Sequence, residues 1–282
     1  NGREAPGNTG RGHPEDHSPE QQTLTTRQSL DAAVQHHAAG RLPQAENIYR
    51  QILQGQSGQP EALHLLGVIA HQTGKNEAGI NLITRAIAIR PDYAEAHYNL
   101  GNALKELGRF DEAVAGYDEA LNIKPDLTEA HNNLGLTFQE LGKPDKAVAC
   151  YQKALSIRPD YAEAHNNLGL SLQKLGKLDD AVTVYNRALS IKPDFADVNY
   201  NLGNVLKEMG QPDEAVASYR NALAIRPGYA EAHNNLGIVL KEIGQLDEAV
   251  ESYQKALSIK PDFAEAHSNL GNILEEMGKL DE

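Results

Sequence analysis

Five histidines, His97, His131, His165, His233 and His267, fall at one position of a 34-residue spacing. Imidazole is a common metal ligand and titrates near neutrality, so such a row invites a metal or proton-transfer reading. Geometry argues otherwise. Residues on successive packed units stand about 10 Å apart, the spacing of packed helices, whereas zinc holds its ligands at about 2.0–2.1 Å. Each histidine is read as a packing residue of its own unit, and no metal is expected. His13 and His17 lie in a polar start of the chain and are read as solvated. Cys150 is the single cysteine. It excludes a disulfide framework or thiolate cluster, and nothing near it in sequence would make its thiol a nucleophile. No G-x-S-x-G and no glycine-rich phosphate loop behind a strand occurs. The expectation is a chain without catalytic residues or cofactor.

A second polar row has a different chemistry. Asn99, Asn133, Asn167, Asn201, Asn235 and Asn269 each fall two residues before a repeated glycine. A carboxamide offers donors and an acceptor together, so a ladder of them suits the backbone of an extended peptide. The same groups could instead hydrogen-bond between adjacent units and stiffen the stack. The two uses are compatible.

The elements that must position these rows are marked by prolines and glycines. Pro91, Pro125, Pro159, Pro193, Pro227 and Pro261 are spaced by 34 residues, as are Gly67, Gly101, Gly135, Gly169, Gly203, Gly237 and Gly271. A further glycine row runs from Gly74 to Gly278 at the same period. A period of this length means a stacked array in which each unit buries its face on its neighbours. Residues 94–127 read as two helices. Ala96, Leu100, Ala103, Leu104 and Leu107 give a helical spacing in the first, and Gly108 supplies a left-handed end. Asp111 is the expected N-cap of the second, with Ala113, Val114, Tyr117, Ala120, Leu121 and Ile123 on its buried side and Pro125 stopping it. Asp92 with Glu95, Asp126 with Glu129, Asp160 with Glu163 and Asp262 with Glu265 read as capping boxes for the first helices.

The full units are 60–93, 94–127, 128–161, 162–195, 196–229 and 230–263. Residues 26–59 form a degenerate unit, in which Ala33 and Ser57 replace the glycine and proline, and 264–282 a partial one. Residues 1–25 read as a disordered polar leader. The chain starts with Asn and shows no signal-peptide pattern, so a processed product or fragment is expected. No polar capping helix follows the partial unit. The natural polypeptide is therefore expected to continue, or another molecule to cover that face.

Composition narrows the partners. Of 282 residues, 39 are acidic and 26 basic, a net charge of −13. That balance opposes nucleic-acid binding, which needs basic groups to displace phosphate counterions. No apolar run approaches the ~20 residues of a membrane-spanning helix. One thiol fits a reducing cytoplasm.

The unit resembles the tetratricopeptide repeat (TPR), whose large residue, Leu-Gly, Ala, aromatic, Ala and Pro correspond here to His97, Leu100, Gly101, Ala113, Tyr117, Ala120 and Pro125. The resemblance implies an all-α, right-handed superhelical solenoid of helix-turn-helix repeats whose first helices line a concave groove. The phrases "AEAHYNLGNALKELGRFDEAV" and "AEAHSNLGNILEEMGKLDE" are similar to the TPR domain of O-linked N-acetylglucosamine transferases and to related bacterial TPR proteins. By that resemblance the six asparagines would hold a protein or extended peptide in the groove. Chaperone-binding TPR domains clamp a carboxylate with cations. The matching row here includes Glu95, Glu129, Glu163, Asp197, Glu231 and Glu265, which would repel one. Three functions follow as expectations: a non-enzymatic peptide-binding scaffold, the substrate-recruiting part of a longer glycosyltransferase, or a filament built by self-association through the uncapped C-terminal face.

Overall fold

The computed structural model describes residues 25–278. The expected leader up to residue 24, with His13 and His17, and residues 279–282 lie outside the described residues. The described chain is a run of paired helices. α1 (Thr26–Ala38) pairs with α2 (Leu42–Gly55), α3 (Pro60–Gln72) with α4 (Asn76–Ile89), and α5 (Ala94–Glu106) with α6 (Phe110–Ile123). α7 (Thr128–Glu140) pairs with α8 (Pro144–Ile157), α9 (Ala162–Lys174) with α10 (Leu178–Ile191), and α11 (Ala196–Glu208) with α12 (Pro212–Ile225). α13 (Ala230–Glu242) pairs with α14 (Leu246–Ile259), and α15 (Ala264–Glu276) follows as a first helix. The molecule is an all-α solenoid.

Each helix packs on those before and after it. From α3 onward the odd-numbered helices also touch the next odd-numbered helix, and no even-numbered pair touches comparably. The stack therefore bends toward its odd-numbered helices, which line the inner, concave side.

Two glycine rows make this geometry. Gly108 and its equivalents have φ between 66° and 79°, where a β-carbon is strained. At the end of α5 the Gly108 amide donates to the Lys105 carbonyl and the Arg109 amide to the Leu104 carbonyl, both at 2.9 Å, closing the helix with a left-handed residue. The other row lies inside the odd-numbered helices. There the ring of a fully buried tyrosine, Tyr117, Tyr151, Tyr185, Tyr219 or Tyr253, presses on the glycine of its own pair. A β-carbon on Gly169 would lie 2.5 Å from Tyr185 Cε1. The alanines facing it, Ala181 and Ala188, are fully buried.

Three local expectations are corrected. α6 begins at Phe110 with Arg109 as its N-cap residue, so Asp111 sits inside the first turn and acts on the helix dipole instead of capping. The expected capping boxes are likewise absent. Tyr93, Leu127, Tyr161 and Phe263 occupy the N-cap positions without a side-chain cap. The first-turn acids instead reach the basic residue that ends the second helix of their own pair. Lys124 meets Glu95 at 3.4 Å, Lys192 meets Glu163 at 3.5 Å and Arg226 meets Asp197 at 2.8 Å, with Arg158 closing on Glu129 in the same way. Three of these cations also lie over the ring at the next helix N-cap, Arg158 on Tyr161, Lys192 on Phe195 and Arg226 on Tyr229, as does Lys260, which pairs with Glu231, on Phe263. Ile123, expected to be buried, is 37% exposed, and Ile157, Ile225 and Ile259 are similarly open.

The histidine row also has a bond of its own. His97, His131, His165, His233 and His267 each place Nε2 within 2.8–3.1 Å of the carbonyl of the proline six residues earlier. That tie fastens α5, α7, α9, α13 and α15 each to the turn that precedes it.

Gly169→Ala is expected to destabilise the chain by about 1–3 kcal/mol, because the tyrosine ring has nowhere to go. Gly271→Ala should gain up to about 1 kcal/mol of helix propensity, since its β-carbon meets no atom within 4 Å. Urea unfolding of the two variants checks the contrast. Equal effects would show that the tyrosine contact is not what requires glycine.

Candidate functional site

The inner face of each odd-numbered helix carries residues at intervals of four, three and four, which form one stripe. On α5 these are Glu95, Asn99, Asn102 and Glu106; on α9 they are Glu163, Asn167, Leu170 and Lys174. Asn99, Asn133, Asn167, Asn201, Asn235 and Asn269 thus run along the middle of the groove, and all six are half-buried.

Their amides are already engaged with the preceding unit. Asn99 Nδ2 donates to His64 Nε2 at 2.8 Å. Asn167, Asn201 and Asn269 donate to Oδ1 of Asn132, Asn166 and Asn234 at 3.1, 2.9 and 3.1 Å. Asn133 donates twice, to Tyr98 Oη at 3.1 Å and to Asn102 Oδ1 at 2.9 Å. Asn235 repeats this with Tyr200 Oη at 3.2 Å and Asn204 Oδ1 at 2.9 Å. The inter-unit bridging use of the ladder is therefore present in the fold. The partners, 35 positions earlier or, for Asn102 and Asn204, 31 positions earlier, are not in line with the 34-residue rows. Their signal is the alternation of "YNLGN" at 98–102 and 200–204 with "NNLGL" at 132–136 and 166–170.

The same alternation decides the fate of the buried phenols. Tyr117 Oη donates to Asn102 Oδ1 and Tyr219 Oη to Asn204 Oδ1, each at 2.8 Å. In the next unit Tyr151 Oη finds Gln139 Oε1 at 2.7 Å. Tyr185 Oη is buried with no partner. Burial raises the pKa of all these phenols, so they stay neutral donors. Cys150 is half-buried, and burial pushes its thiol up to about 11, which opposes thiolate formation at neutral pH.

A second set of rungs runs beside the ladder. His37 meets Gln72 at 3.0 Å, His71 meets Glu106 at 3.6 Å, Gln173 donates to Glu208 at 3.0 Å and Lys241 meets Glu276 at 2.9 Å. At the equivalent place Gln139 turns to Ser171 Oγ, at 2.8 Å, instead of to Lys174.

The match to known proteins follows this geometry. A family model described as TPR repeat matches residues 67–108, 203–244 and 240–278. Models described as tetratricopeptide repeat match 92–160, 126–194, 184–217 and 27–51. The chain belongs to the tetratricopeptide repeat family. It is similar to the crystal structure of MamA, with 30% identity and a TM-score of 0.56, covering 58% of this chain and 96% of that one. It is similar to YrrB, described as a TPR protein with an unusual peptide-binding site, with 25% identity and a TM-score of 0.56 over 66% of this chain and 96% of that one. A chain of the APC/C hetero-tetramer Cut9–Hcn1 shares the fold at 16% identity and a TM-score of 0.67, covering 88% of this chain and 51% of that one. A comparison with curated proteins gave no match. Among the described residues no helix is long and apolar enough to cross a membrane.

The ladder begins at a titratable acceptor. His64 is buried, its Nδ1–H donates to Tyr93 Oη at 2.8 Å, and its Nε2 accepts from Asn99. Burial pushes its pKa down to about 4. The unfolded chain takes up this proton near pH 6.5 and the folded chain only near pH 4. Stability present above pH 6.5 is therefore lost as the pH falls toward 4. His64→Asn, which puts an amide where other units carry one, should remove about 3 kcal/mol of that loss. Unfolding curves at pH 7 and pH 4 for both proteins test this; parallel pH dependence would rule it out.

Proposed function

We propose that the chain is a non-enzymatic scaffold that binds an extended peptide or a peptide-like segment of a protein along its concave groove, with the asparagine ladder as the recognition row. The observation that carries the reading is the row itself. Six half-buried carboxamides stand on the inner faces of successive helices, and several keep hydrogen-bonding capacity after their inter-unit bonds are made. Half-buried amides of this kind favour a ligand that supplies backbone carbonyls and N–H groups. The similarity to a TPR protein described as having a peptide-binding site adds weight. A reducing compartment such as the cytoplasm fits the single thiol. Self-association is the alternative to this reading. A concentration series by light scattering distinguishes a monomeric scaffold from an assembling one.

Peptides of about twelve residues selected from a random display library on the folded chain should bind the groove. Asn201→Arg, on the inner face of α11, is expected to weaken them by tenfold or more, roughly the loss of one or two hydrogen bonds and of access. Asn186→Arg, on the exposed face of α10, should leave them within about twofold. Peptides indifferent to Asn201→Arg, or no peptides at all, would sink the groove reading.

A further inference from the structure

The ladder is not uniform, and its wiring leaves one opening. Asn133 and Asn235 each spend both Nδ2 hydrogens, on Tyr98 with Asn102 and on Tyr200 with Asn204. Asn167 and Asn201 each spend one. Asn99 and Asn269 also keep one, but Asn167 and Asn201 are the one adjacent pair of the six with a hydrogen to spare. A second observation falls at the same place. Tyr185 packs on Gly169 through Cε1 and Cζ as Tyr117 packs on Gly101, so its hydroxyl is aimed at the same part of the groove floor. Where Asn102 accepts from Tyr117, this unit has Leu170, and Gln173 is turned to Glu208. The Tyr185 hydroxyl is fully buried and unpaired, an arrangement that costs about 1–3 kcal/mol unless a partner arrives. Lys174 lies on the same helix stripe. It interrupts the acidic row between Glu140 and Glu208, and no rung engages it.

We infer that the stretch of groove over α9 and α11 is the binding bay, and that its occupant is a polypeptide segment in the polyproline II conformation whose carbonyls accept from Asn167 and Asn201. This rests on the groove reading above and names its site and ligand. The conformation follows from spacing. Packed helix axes stand about 8–10 Å apart, and α9 touches α11. A polyproline II chain turns once in three residues and rises ~3.1 Å per residue, so carbonyls on one side recur every ~9 Å. A β-strand repeats its side every ~7 Å and falls out of step. The required groups are acceptors, so a segment without N–H donors serves. The half-buried Leu136 and Leu170 on the same stripes offer apolar floor to its rings.

The test uses the chain as it stands, a fluorescein-labelled oligoproline of about nine residues, and a labelled Gly-Ser peptide of equal length, which lacks the preformed conformation. Oligoproline should bind the tighter of the two by fluorescence anisotropy. Asn167→Asp with Asn201→Asp keeps shape and removes the donors, and should weaken it by about tenfold or more. Tyr98→Asn with Asn102→Leu frees the second hydrogen of Asn133, extends the run of spare amides, and should tighten binding by about fivefold. Circular dichroism melts confirm that each variant is folded. If oligoproline does not bind while library peptides bind and respond to Asn201→Arg, the inference is overturned and the groove reading stands. If oligoproline binds but ignores the double aspartate variant, the bay is misassigned. If neither probe is sensitive to any groove variant, both readings fall.

Discussion

From α5 to α14 each helix pair depends on a tyrosine ring lying directly against a glycine. The ring is fully buried and the glycine has no side chain, so two helices approach to a distance that any β-carbon would prevent. Dispersion and burial at this contact set the separation within a pair. The paired alanines, fully buried beside it, are small for the same reason. Once the pair is fixed, its left-handed glycine turn and its terminal proline fix where the next pair starts, and the bend of the stack follows.

The groove is a by-product of that bend and has two tiers of polar contact. One ties each unit internally, through first-turn acids and helix-ending cations that also rest on aromatic rings. Exposed pairs of this kind contribute at most about 1 kcal/mol each, so their effect lies in fixing the turn. The other tier bridges neighbouring units through carboxamides and is half-buried, where satisfied bonds matter more and missing ones are penalised. In the proposed function, ligand recognition and unit-to-unit cohesion draw on the same nitrogen atoms.

The architecture was legible because it rests on rows. Glycine, proline, alanine and tyrosine recur at one period, and each has a steric reason to be there. The ends of helices were less legible. Asp111 and the Asp92 and Glu95 pair look like caps, yet α5 is capped one residue after Asp92 and α6 two residues before Asp111, and Glu95 finds a cation 29 residues away. The ladder was visible as a row of asparagines, but its acceptors were not. They lie 35 residues earlier and change identity between His64, Tyr98, Asn132, Asn166, Tyr200 and Asn234. A period of 34 draws attention to residues in line, whereas contact between stacked units runs one residue off the line.

That offset has a consequence for how such a chain is edited. Every bridge spans a single unit boundary, so deleting or duplicating one whole unit leaves the steric rows intact and the stack still closes on itself. The hydrogen-bond count is not preserved in the same way, because each asparagine inherits its acceptors from whichever unit precedes it. Moving a "YNLGN" unit turns a singly bonded neighbour into a doubly bonded one. The units are interchangeable as bricks but not as letters: their order spells which amides stay silent and which remain open to speak.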